Sequence, residues 1–507
     1  MKLVKSLFLG SAAGLIAMSG AQAADLPVKA KAVEYVKVCS LYGAGFYYIP
    51  GTDTCIRLGG YMRIDTTFNG GGAYNDPSWS GAAGQDTRQR NQYISRVRQD
   101  LDIDTRTSTE YGVVRTYFDA TFNWTTGTDS IAGGGASAGI YYAFIQFAGF
   151  TMGKAVSEFS TPWTGYPGGN LTSYLIGGED DVTGINQLAY TASFGNGVSG
   201  TISLEDSQAY DQSQLLGVVA GAGPAATYNT AATWLSGTGM GNPTNTGTYG
   251  SFYGGSAVPD IVGQLRVDQA WGLFQASVAA HDIHASYYIP SNETSGHPSD
   301  AWGFAGMLAL SIKNIPTGPG DSINIDTTFA NGASRYVIGG VSPNSFSMFG
   351  GTSAAGAFQS IGFATAADGI FGPGGQIEKT NAWGVRGGYN HNWNPYWSTS
   401  LFGSFSALSY NGAGKALFCA GMGTAVLGLG TSYTCNPDFK IAQLGVVTRW
   451  TPVQNLTFSG EVLYTQLYQN MSGTTSPVSA GGATPVAVYQ FKDQGTVSVG
   501  VRAQRNF

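Results

Sequence analysis

Six of the eight arginines in the first quarter of the chain fall in alternating stretches: Arg57, Arg63, Arg96, Arg98, Arg106 and Arg115. Three of them sit in the run Arg96-Val97-Arg98-Gln99-Asp100-Leu101-Asp102-Ile103-Asp104-Thr105-Arg106, where every even-numbered residue is charged. A helix would spread these charges around its circumference, whereas a strand sets them all on one face. The same alternation opposes Arg57 and Arg63 to Leu58, Met62 and Ile64, and Arg115 to Val114, Phe118 and Phe122. A guanidinium row facing water, with carboxylates across a narrow gap, orients polar solutes without any covalent step. Glu158, Glu179, Asp180 and Asp181 are the candidate acids for the far side, and Arg63, Arg96 and Arg98 the arginines expected to meet the gap. The competing reading pairs the arginines with Asp65, Asp100, Asp102, Asp104 and Asp119 to stiffen a wall. The two readings are compatible.

Other chemistries find little support. The four histidines are His281, His284, His297 and His391, and no Ser/His/acid set assembles from local spacing. His281 and His284 have the look of a metal pair, but positions three apart in a strand point to opposite faces. Gly-x-Gly runs lie in loops without the strand-to-helix context of a phosphate cradle. No catalytic activity, cofactor or metal is expected. The four cysteines form two pairs, Cys39/Cys55 and Cys419/Cys435, each sixteen residues apart. Without nearby histidines or zinc-type spacing, they read as two local disulfides in an oxidising compartment. The net charge is −6, which gives no support to nucleic-acid binding.

The elements that must position these residues are strands. Residues 1–23 read as a secretory leader: Lys2 and Lys5, an apolar run from Leu7 to Met18, then Ala21-Gln22-Ala23 as cleavage site. Residues 24–55 form an extension closed by the Cys39/Cys55 clip, and 56–507 form the main domain. With 75 glycines, 13% aromatic and only 11% charged residues, the composition suits many strands and tight turns. The final stretch alternates Val497, Val499, Val501 and Ala503 against Ser498, Arg502, Gln504 and Asn506. Such a strand leaves an unpaired edge and an apolar row unless it pairs with the first one, closing a barrel with lipid outside and water inside. Arg505 is the one charge on its outward face. Tight turns at 107–110, 195–197, 392–395 and 451–455 alternate with long loops near 69–90, 125–138, 155–183, 207–258, 284–299, 333–375, 411–437 and 470–490. This predicts an all-β, antiparallel transmembrane barrel of about sixteen strands. Segments 140–147 and 270–280 are apolar on both faces and leave their orientation open. Trp124, Trp271, Trp302, Trp383, Trp397, Trp450 and Tyr464 near strand ends suit interface girdles, with sugar stacking in the lumen as the alternative.

The run from Val38 to Tyr61, VCSLYGAGFYYIPGTDTCIRLGGY, resembles the N-terminal signature of alphaproteobacterial general porins, as do Ala24-Asp25-Leu26-Pro27 and the terminal Phe507. The resemblance implies a sixteen-stranded homotrimeric channel in the outer membrane, in contact with lipid and lipopolysaccharide. It also implies a third loop folded inward as a constriction and passage of small hydrophilic solutes. Phe507 then resembles the signal read by the outer-membrane assembly machinery. The Pro-Glu-Phe-Gly-Gly-Asp run of enteric porins is replaced here by Ser157-Glu158-Phe159-Ser160 and Gly177-Gly178-Glu179-Asp180-Asp181. A substrate-specific channel and a structural or adhesive surface barrel are the alternatives.

Overall fold

The computed structural model describes residues 37–70, 84, 87–88, 90–126, 134–172, 175–179, 183–211, 213–218, 251–289, 292–339, 345–425, 432–476 and 484–507. The leader at 1–23 and the acids Asp180 and Asp181 lie outside these residues. Sixteen strands form the main body: β1 (Thr54–Phe68), β2 (Tyr93–Thr109), β3 (Gly112–Thr125), β4 (Gly135–Phe147), β5 (Phe150–Ala155), β6 (Ile185–Gly195), β7 (Val198–Glu205) and β8 (Asp260–Gln269). They continue as β9 (Gly272–Ile283), β10 (Ala301–Lys313), β11 (Ser322–Asn331), β12 (Glu378–Asn394), β13 (Trp397–Tyr410), β14 (Phe439–Val453), β15 (Leu456–Gln469) and β16 (Gln494–Asn506). Each pairs antiparallel with its neighbours, and β16 pairs with both β15 and β1, from Tyr61↔Asn506 to Phe68↔Val499. The barrel is closed, as the last strand demanded.

Alternation sets the two faces. Leu58, Met62, Ile64 and Phe68 on β1 and Val497, Val499 and Val501 on β16 are exposed, while Asp65, Thr67 and Ser498 between them are buried. Large apolar side chains exposed around the whole barrel are a liability in water and a requirement in lipid. The six tryptophans singled out at strand ends fall in two belts. Trp271, Trp397 and Trp450 lie towards the short-turn end, with Trp397 and Trp450 stacked at 5.9 Å, and Trp124, Trp302 and Trp383 lie towards the long-loop end. Arg505 is exposed at the short-turn end, its guanidinium on the carbonyl of Gln454, where a long side chain reaches the headgroup region. The turns are tighter than the sequence suggests, mostly two residues long. At Asn196-Gly197 both residues have positive φ, and a Cβ on Gly197 would fall 1.9 Å from the Asp268 carbonyl, so glycine is required there.

The long connections hold structure that the sequence does not announce. Ser345–Gly350, Gln359–Thr365, Tyr489–Phe491, Ser472–Thr475 and Tyr433–Thr434 form a separate five-stranded sheet. Gln214–Gly217 pairs in parallel with Ala367–Phe371. A helix, α1 (Gly412–Ala425), is tied by Cys419–Cys435 to the chain that follows it, and Cys39–Cys55 closes the other expected pair. Phe346, Met348, Ile361, Phe363, Ile370 and Phe418 pack in one apolar core with inward-facing Val262, Ala279, Met307, Ala382 and Ile441 of β8–β14. This explains the ambiguous segment 270–280: its inner face meets protein rather than water. Cross-linking a loop of this length stabilises by about 3 kcal/mol on the chain-entropy model. Replacing Cys419 and Cys435 with serine is therefore expected to open residues 411–438 to protease while the barrel keeps its heat-shifted migration on gels. Equal protease resistance in the double variant would show that packing alone holds this loop.

Candidate functional site

The inner face of β1–β3 and β16 carries the arginines in two clusters and two single positions. Strand register creates the first: Arg57 lies opposite Asp104, and Arg106 opposite Arg115. Asp104, fully buried, accepts from Arg106 at 3.1 and 2.9 Å and from Arg115 at 3.1 Å, with Arg57 Nη2 3.9 Å away. In the second, Asp65 lies between Arg96 on β2 and Arg502 on β16 and accepts from both. Arg63 donates to Gln504 Oε1 at 2.8 Å and lies 4.2 Å over the Tyr61 ring. Arg98 donates to Asn123 Oδ1 and lies 5.1 Å from the Tyr141 ring. Of the three arginines expected at the gap, Arg96 is 1% and Arg98 6% exposed, while Arg63 is only partly buried. The side chain of Arg57 is 43% exposed, that of Arg106 28% and that of Arg115 27%. Arg57 and Arg106 also border the N-terminal clip, where Phe46 lies 5.4 Å from Arg57 and 4.9 Å from Arg106.

Across the barrel, the connection from β5 to β6 (156–184) is bound to the inner wall of β7–β15. Glu205 accepts from the Ser157 hydroxyl at 2.7 Å and the Glu158 amide at 2.9 Å. Gln275 donates to the Ser160 carbonyl at 2.8 Å. Trp163 donates to Asp326 Oδ2 at 3.0 Å, and Arg386, paired to the same carboxylate at 3.0 Å, donates to the Glu179 carbonyl. Gln443 accepts from the Ile176 amide, Glu461 from the amides of Leu171 and Thr172, and Arg449 donates to the carbonyls of Gly168 and Gly169. Close approach depends on missing side chains. A Cβ on Gly384 or Gly388 of β12 would fall 2.4 Å from the backbone of Gly177 or Gly168. Buried backbone groups of an inward loop need partners, and β7, β8, β9, β11, β12, β14 and β15 each supply one or more.

Two of the four expected acids lie within the described residues. Glu158 is half-buried, and burial pushes its carboxyl up to about 7 against the pull of Arg266. Glu179 is buried and accepts from the Ser160 hydroxyl. The residues that hold the loop, Glu205, Asp326, Arg386, Arg449 and Glu461, were not singled out from the sequence. Inward parity was their one legible signal. His281 is buried against Asp260 and Tyr253, whereas His284 bonds Asp300, so the two histidines do not share a site.

A family model described as Porin subfamily matches residues 25–500. The chain belongs to this porin family. The resemblance read from Val38–Tyr61 and from the chain end is borne out. Porin Omp2b of Brucella abortus (strain 2308) is 36% identical over 286 residues, covering 55% of this chain and 66% of that protein. Porin Omp2a of Brucella melitensis biotype 1 is 41% identical over 219 residues, 40% of this chain and 56% of that protein. The porin therefore matches less than two thirds of the length of these curated relatives. The solved outer membrane channel DcaP of Acinetobacter baumannii superposes with a TM-score of 0.55 at 14% identity, covering 91% of this chain and 99% of that one, and shares the fold. Removing one partner of a buried ion pair costs about 3–5 kcal/mol. Arg386→Ala is therefore expected to loosen 156–184 from the wall, read as faster proteolysis within that segment. Unchanged cleavage would show that the remaining clamps suffice.

Proposed function

We propose that the porin forms a water-filled channel for passive diffusion of small hydrophilic solutes and ions across the outer membrane. The observation that carries this reading is the placement of accessible Arg57, Arg63, Arg106 and Arg115 on the inner face of β1–β3, across the barrel from a polar-clamped inward loop bearing Glu158. Opposed charge across a narrow aqueous gap aligns dipolar solutes and disfavours apolar ones, which cannot replace the ordered water. Buried Arg96 and Arg98 serve the same side by fixing the wall. No bond is made or broken. A substrate-specific channel is the second reading, favoured by the apolar loop core that occupies the long-loop end against β8–β14. Conductance that saturates with one solute separates it from general diffusion.

The leader at 1–23 fits export, and Phe507, exposed at the end of the closing strand, fits recognition by the assembly machinery. Lipid and lipopolysaccharide are the fitting partners of the exposed outer band. A homotrimer is part of the same proposal. β5 has only six residues, whereas a tilted strand needs about 9–11 to span the hydrocarbon layer. That sector, with Phe150 and Met152 outward, is better covered by protein than by lipid.

Discrete conductance steps of the purified protein in planar bilayers test the channel directly, and their absence would overturn it. Arg57→Gln with Arg63→Gln removes two lumen cations, so the reversal potential under a salt gradient is expected to move towards cation preference. An unmoved potential would assign both arginines to the wall alone. Met152→Arg is expected to convert the oligomer on unboiled gels and in native mass spectra to monomer. An oligomer that persists would place the subunit contact elsewhere.

A further inference from the structure

Three carboxylates of the arginine wall stand outside both of its clusters. Asp100 and Asp102 on β2 and Asp119 on β3 each bring one oxygen within 4.8 Å of the other two. The register sets Asp102 directly opposite Asp119, an arrangement of like charges that destabilises a strand pair. Among the described residues no ion pair reaches any of the three, because Arg96 and Arg502 hold Asp65 and the other wall arginines converge on Asp104 or bond neutral partners. Asp119 is only 8% exposed; its side chain meets that of Asp100 at hydrogen-bond distance, while its Oδ1 is buried with no partner. A buried carboxylate oxygen without a donor is costly, and a second acid opposite it adds to that cost.

The surroundings leave a way in. Asp102 is partly exposed, and its neighbour across β1 is Gly59, where an added Cβ would lie 3.6 Å from Asp102 Oδ2. The absent side chain leaves room between Asp102 Oδ2 and the Phe507 backbone oxygen, each 3.6 Å from that Cβ position. The Tyr117 hydroxyl donates to Asp102 Oδ1 at 3.1 Å and fixes that carboxylate in place. An all-oxygen set without imidazole or sulfur suits a hard cation. Calcium takes about 6–8 oxygens in flexible geometry, and lumen water can complete the shell beyond three carboxylates.

We propose that Asp100, Asp102 and Asp119 form a binding site for a hard divalent cation of the calcium type on the lumen wall. The bound ion supplies the missing partner of Asp119 and relieves the Asp102–Asp119 opposition. It also offsets two of the three negative charges of this cluster.

Terbium(III) titrated into the detergent-purified protein tests the site without requiring conduction, so its failure is separable from failure of the channel reading. Tyr117, bonded to a ligand, acts as the antenna for terbium emission. The expected result is tyrosine-sensitised emission that calcium displaces. It should weaken by about tenfold or more in affinity in Asp102→Asn with Asp119→Asn, on the scale known for disturbing metal sites. Asp300→Asn, in the separate Asp282/His284/Asp300 group, leaves it unchanged. Should the double variant not assemble, Asp102→Asn alone, at a partly exposed position, gives the same comparison. Emission that calcium does not displace, or that survives the substitutions, would overturn the proposal and leave the cluster balanced by protons.

Discussion

A strand in lipid has no water to satisfy its backbone N–H and C=O groups, so the strand that ends a sheet must find partners on both edges. β16 does so between β15 and β1, and the rest of the molecule follows from that closure. With the register set, parity assigns every residue to lipid or lumen, and a slip of one position would exchange the faces. Val497, Val499 and Val501 then meet lipid while Arg502 reaches Asp65. Arg505, on the outward parity, escapes the hydrocarbon because it lies at the short-turn end against Gln454.

Closure delivers ionised groups to the inner face, and low-dielectric surroundings make each isolated charge expensive. The wall meets this by convergence. One carboxylate, Asp104, serves Arg57, Arg106 and Arg115; another, Asp65, serves Arg96 and Arg502. The same rule governs the inward connection 156–184. Its amides and carbonyls are met by Glu205, Gln275, Arg386, Gln443, Arg449 and Glu461 rather than by water. The arginine set divides by burial and pairing. Arg96 is spent within the wall, while Arg57 retains access.

The barrel was legible because period-two alternation is a local signal, repeated along most of the sixteen strands, with turn residues between the repeats. Arg96 to Arg106 could be read as a strand with one charged face from eleven residues alone. The loop sheet could not. Tyr433–Thr434 and Tyr489–Phe491 are too short to show a period, and their partners lie far away in sequence. For the same reason Arg449 and Glu461 could be assigned to the polar face, but not to Gly168 or Leu171, which only the folded loop brings near. Ala279 and Met307 point inwards yet are apolar, because the lumen beside them is filled by loop residues. A pattern rule that equates the inner face with water fails where protein takes the place of water.

That filling bears on the field inside the barrel. Phe346, Ile361, Phe363 and Phe418 place an apolar body on the β8–β14 side at the long-loop end. The accessible charges, Arg57, Arg106 and Arg115, lie on the opposite strands towards the short turns. An apolar body beside a polar wall narrows the aqueous cross-section and lowers the effective dielectric around it. Charge–charge interactions of a given separation are then screened less than in an open, water-filled cylinder. The arginines need not be numerous to shape the field in the space that remains. They need only line the part of the lumen that the loops leave to water.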